Sequence, residues 1–159
     1  MIPVPATDTN LKILRILAIA MIGGVLLFAG VIIAVRESNS FSIKEIQPYA
    51  AYILGILAGI ALTCYFLARV IYKKKIEAAR NSTLTAKEKL NQYRGALVIY
   101  MGLCEAPAML SVILFMLTGD YLLYVIVLLM LAAMAAKFPT RQRVIDALGL
   151  DWNEQEALQ

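Results

Sequence analysis

Glu105 and Arg69 bound the chemistry open to this chain. Glu105 stands in "GLCEAPAML", residues 102–110, inside a long apolar run and two residues before Pro107. Arg69 stands in another apolar run, nearer its basic end. Ionisable side chains at such depth in a membrane are costly, so they are paired or functional. A carboxylate there can hydrogen-bond across helices, bind and release a proton or cation, or meet a group on another subunit. Pro107 cannot donate to the carbonyl of Leu103 and clashes with it. That predicts a helix kink and a carbonyl in need of a partner.

Other chemistries lack their residues. Histidine is absent, which removes the commonest metal ligand and the usual general base. Cys64 and Cys104 both lie in apolar stretches with no CxxC spacing, and they read as small packing residues. There is no nucleophile–base pair, phosphate loop or metal set. The sequence therefore predicts a non-enzymatic protein with no cofactor and no metal. The net charge of +4 sits beside apolar spans, so membrane topology explains it better than nucleic acid does.

The elements that carry these residues follow from length and composition. Hydrophobic residues make up 61% of the 159, against about 45–50% in soluble domains, and mean hydropathy is +0.74. The excess falls in stretches long enough to cross a hydrocarbon core of about 30 Å. The expected fold is all-α, with four transmembrane helices at about 16–35, 49–72, 96–118 and 121–136. The first run exceeds a signal-peptide core of roughly 7–15 residues, so it reads as a membrane helix. Pro48 suits the first turn of the second helix. Thr85 and Glu88 in "TAKE" form a capping box that starts the third helix well before its apolar part. The second and third helices then make a long hairpin turning at "NSTL", 81–84.

Basic residues set the orientation. Seven lie between Lys73 and Arg94, with Lys12 and Arg15 before the first span and Lys137, Arg141 and Arg143 after the fourth. The first loop has Arg36 and Lys44 offset by Glu37 and Glu45, and "TGD" at 118–120 has none. Both termini and the hairpin tip are expected in the cytoplasm. Tyr49, Tyr52, Tyr121 and Tyr124 form one aromatic belt, and Tyr72, Tyr93 and Trp152 the other. Residues 1–138 make the membrane domain. Residues 139–159 make a cytoplasmic tail, in which Val144, Ile145 and Leu148 share the apolar face of a short helix expected to lie on the inner leaflet. Phe41, Ile43 and Ile46 suggest a second interfacial piece over 37–47.

If Tyr72 faces Ala96 across the hairpin, Thr63 lies level with Glu105 and Cys64 with Cys104. Arg69 is then six residues nearer the cytoplasm than Glu105, about 9 Å along the axis. Side chains tilt toward their own helix N-terminus, so Arg69 and Glu105 point toward each other in depth. The expected partners of Glu105 are Arg69, Thr63 and Tyr100. Ala51, Gly55 and Gly59 on the second span, and Gly23 with Gly24 on the first, are small residues suited to close helix packing, within the chain or between chains.

The segment around Glu105, with a basic hairpin tip nearby, resembles the ion-carrying helix of rotary ATPase proteolipids, the c-ring subunits. That resemblance implies an ion-binding role for Glu105. The chain as a whole is similar to uncharacterised four-helix inner-membrane proteins of the Bacteroidota type. The likeness is carried by Glu105–Ala108, the turn Thr118–Asp120 and the exit Pro139–Arg141. It implies a bacterial inner-membrane location and no particular activity.

The expectation is an accessory or assembly subunit of a larger inner-membrane complex, with the bilayer and other membrane subunits, or copies of itself, as partners. The alternative is proton or cation translocation through Glu105, as a small homo-oligomer.

Overall fold

The computed structural model describes residues 6–38 and 48–149, with side chains from Leu11 onward. The interfacial piece expected around Phe41, Ile43 and Ile46, and the end of the tail with Trp152, lie outside the described residues. Those residues form five helices and no strand: α1 (Ala6–Ser38), α2 (Ala50–Arg80), α3 (Ala86–Thr118), α4 (Leu123–Ala136) and α5 (Arg141–Leu148).

Three of these helices, α1, α2 and α3, are long and apolar enough to cross a membrane. α4 is shorter. Its 14 residues reach about 21 Å. It counts as part of a fourth span only when joined to α5, and the two are bent by 73° at Lys137–Thr140. The fourth span expected from Tyr121 is therefore a helix from Leu123, because the preceding residues are used in a turn. In that turn the Asp120 carboxylate accepts from the Leu122 N–H at 2.9 Å, and the Thr118 hydroxyl accepts from the Asp120 N–H at 3.3 Å.

α3 is the central helix and packs against α1, α2 and α4, whereas α1 and α2 scarcely touch. Its buried stripe runs through Leu90, Tyr93, Leu97, Tyr100, Cys104, Ala108, Ser111 and Phe115. These residues recur at three- and four-residue intervals, which is one face of an α-helix. α2 is the opposite case. Only 11% of its most apolar window is buried, against 44% for α3. Its apolar residues therefore face outward, as they do when the surrounding medium is lipid.

Local chemistry places the ends of α3. The Thr85 N–H and hydroxyl both donate to Glu88 Oε2, at 3.0 and 2.8 Å, and form the expected capping box. At the far end Gly119 adopts φ +78° and its N–H bonds the Phe115 carbonyl at 2.8 Å. A left-handed residue after a helix is the position that favours glycine.

α5 departs from expectation. Its N-cap Thr140 accepts from the Arg143 N–H, as a helix start after Pro139 requires. Its apolar face does not face a leaflet. Val144 and Leu148 are fully buried, because α5 packs across α2 and α3. Arg80 of α2 lies against Gly149 at the end of α5. The arms of α2 and α3 extend past their apolar parts and supply the surface that covers it.

Candidate functional site

α2 and α3 run side by side in the register that places Tyr72 near Ala96. The Tyr72 ring meets both Tyr93 and Tyr100 edge to face, at 6.2 and 5.7 Å between centroids. Those two tyrosines are seven residues apart on α3, so Tyr72 sits level with the turn between them. Cys64 neighbours Cys104 in the same register, both as free thiols.

Depth is not contact. Glu105 is half-buried on the border of the packed face of α3, and it has no hydrogen bond or ion pair among the described residues. Each of its three expected partners is engaged elsewhere or turned away. The Thr63 hydroxyl donates to the Gly59 carbonyl of its own helix at 2.8 Å. The Tyr100 hydroxyl donates to the Ala133 carbonyl of α4 at 3.3 Å. Arg69 is exposed on α2 and lies near Tyr100. The cause is rotational. Tyr100 and Cys104 lie in the middle of the buried stripe, and Glu105 stands one residue, or about 100° around the helix, beyond Cys104.

Pro107 is buried and α3 continues through it without a break. The Ser111 hydroxyl donates back to the Pro107 carbonyl at 2.7 Å, an i−4 bond that occupies one buried polar group locally. No described side chain donates to the carbonyl of Leu103 that Pro107 leaves free.

The glycines expected to pack helices closely have open space beside them among the described residues. A side-chain carbon added at Gly23, Gly24, Gly55 or Gly59 would meet nothing within 4 Å. Ala51, Gly55 and Gly59 form an exposed strip along α2. Among the described residues there is no group of three metal-ligating side chains.

Several polar bonds that join helices end on backbone carbonyls. Arg36 at the end of α1 donates to the Phe115 and Met116 carbonyls, at 2.8 and 3.0 Å, and its guanidinium lies over the Phe115 ring at 5.0 Å. The Tyr124 hydroxyl of α4 donates to the Ala29 carbonyl of α1 at 3.1 Å. Arg143 donates to the Ala136 and Phe138 carbonyls at the end of α4, at 2.8 and 3.3 Å. Lys137 sits over the Tyr72 ring at 5.0 Å. In the sequence Arg36 carries only a topology signal. An arginine shortly after an apolar run could also be flagged as a helix C-cap donor.

No family model, curated protein or solved structure matches this chain. The site must therefore be read from its own chemistry. It consists of a half-buried carboxylate with no partner among the described residues and, on α2, an exposed strip of small residues. A half-buried carboxylate without a described partner leaves its oxygens open to a donor or cation from another molecule. An open glycine face permits close backbone approach by another helix.

Proposed function

We propose that the protein is a non-enzymatic accessory or assembly subunit packed within a larger complex of the bacterial inner membrane. The carrying observation is that Ala51, Gly55 and Gly59 are exposed along α2, with no described atom within 4 Å of where a side-chain carbon would stand at Gly55 or Gly59. In this reading a helix of a partner subunit lies along that strip. The chain crosses the membrane four times, with α4 as the short last span and both termini in the cytoplasm. The basic residues from Lys73 to Arg94 mark the cytoplasmic tip of the α2–α3 hairpin. The test is a Gly55→Leu/Gly59→Leu variant, purified from its native membrane in mild detergent. Insertion and stability are expected to be unchanged, because the first side-chain carbon at either position meets no described atom within 4 Å. Association with unrelated membrane proteins is expected to be lost. A variant that still co-purifies with those proteins defeats this reading.

A second reading rests on Glu105, whose side chain has no partner among the described residues. In it Glu105 binds a proton or cation in a small homo-oligomer, the role that resemblance to c-ring proteolipids implies. Glu105→Gln then inserts and assembles normally but abolishes proton- or sodium-dependent activity in reconstituted vesicles. Undiminished ion-dependent activity in that variant rules the role out.

A further inference from the structure

Between α2 and α4 runs an apolar groove of about 600 Å³, lined among others by Ala58, Leu62 and Tyr65 on one side and Leu129, Met130 and Ala133 on the other, and it meets the small-residue strip of α2 at Gly59. The next turn of α2 carries Arg69, Tyr72 and Lys73, and four residues past Ala133 is Lys137. These four side chains line a separate cleft of about 280 Å³ together with Glu77. The same two helices thus present an apolar channel and, at its end, a basic cleft. Lys137 over the Tyr72 ring shows that α2 and α4 reach this level together.

Among the described residues the basic side chains of the cleft outnumber the acidic ones. Glu77 pairs with Lys73 at 3.7 Å. Among the described residues Arg69 has no hydrogen bond or ion pair, and Lys137 has no ion pair and lies over an aromatic face. Lys137 also lines the adjoining cleft with Arg143 and Asp146; there Arg143 is engaged by carbonyls, and the Asp146 carboxylate accepts from the Gln142 side-chain amide at 3.1 Å. Two cations at the end of an apolar span need an anion, and guanidinium and ammonium groups together suit a phosphate. A phosphate alone would not explain the apolar channel that leads up to it.

We propose that the α2–α4 face binds one anionic phospholipid, with an acyl chain along the groove and the headgroup phosphate held by Arg69 and Lys137. Lys73 lies at the cleft rim, and the Tyr72 ring forms its floor. Polarity and order along the helices match this ligand end to end. Basic pockets between transmembrane helices at the inner face are suited to anionic headgroups.

The test is native mass spectrometry of the full chain in a neutral detergent. It is titrated with phosphatidylglycerol, with phosphatidylcholine of the same acyl chains, and with inorganic phosphate. One phosphatidylglycerol is expected to bind in preference to phosphatidylcholine. Arg69→Gln/Lys137→Gln is expected to weaken it roughly 25-fold, at about fivefold for each basic residue. Lys74→Gln/Arg94→Gln removes the same charge from exposed positions outside the cleft and is expected to leave binding unchanged. Ala58→Phe obstructs the groove from an exposed position, and so tests the acyl-chain half even if the charge variant does not fold. Any of four results overturns the proposal: equal binding of both lipids, equal loss in the Lys74/Arg94 variant, full binding to Ala58→Phe, or displacement of the lipid by inorganic phosphate.

Discussion

The Arg36 guanidinium occupies the space that a side chain at Gly119 would fill. This one relationship joins the end of α1 to the end of α3. The last carbonyls of a helix have no partner within it and carry the negative end of its dipole, so a cation donating to Phe115 and Met116 answers both needs. Gly119 is required twice, once for its φ of +78° and once for its missing side chain.

The energetic consequence is a coupling between the two residues. Gly119→Ala is expected to lose about 1–2 kcal/mol from backbone conformation, and more from displacing Arg36. Arg36→Ala is expected to lose about 1.5–3 kcal/mol, the range for hydrogen bonds to a charged group. The double variant should lose less than the sum, because the clash disappears with the arginine. Detergent-denaturation midpoints of the four proteins measure this, and strict additivity would show that the two residues do not meet.

Docking of α5 gives a second expectation. Leu148 is fully buried, and Leu→Ala at such a site costs about 2–5 kcal/mol. α5 is held by a small apolar face, so Leu148→Ala should release it while leaving the α1–α4 bundle intact. Limited proteolysis should then cut after Pro139 in the variant and not in the parent. Equal resistance would mean that the helix is held by something other than this contact.

The start of α3 carries a pH dependence of known sign. The Thr85 hydroxyl, and then the Thr85 N–H, donate to the Glu88 carboxylate and hold its carboxyl below its ordinary value of 4.5. A carboxylate depressed in the folded state contributes stability that is complete above the ordinary value. That contribution is lost as pH falls through the lower, folded-state value. The first turn of α3 should therefore fray on acidification below about pH 4.5. Hydrogen-exchange protection at residues 86–90, corrected for intrinsic rates, reads this. In Glu88→Gln the acid-dependent fraying should vanish, and its persistence would assign the effect to another group.

Much of the architecture follows from linear pattern. Apolar runs of span length require helices, because only a closed hydrogen-bond ladder tolerates hydrocarbon. The Thr85–Glu88 spacing marks where α3 begins, since both partners sit within one turn. Even the level of Tyr72 against Ala96 is readable, because helix rise is constant and the turn at 81–85 is short. What linear pattern leaves open is rotation about the helix axis and the identity of carbonyl acceptors. Glu105 shares a depth with Thr63 and approaches that of Arg69, yet it meets neither, because packing of α3 against three neighbours sets which 100° sector is covered. Gly55 and Gly59 look the same in sequence whether they face a neighbour or open space. Arg36 reads as a loop charge until the fold brings the backbone of Phe115 and Met116 to it. Backbone carbonyls carry no residue signature, so only the tertiary structure decides which side chains they receive.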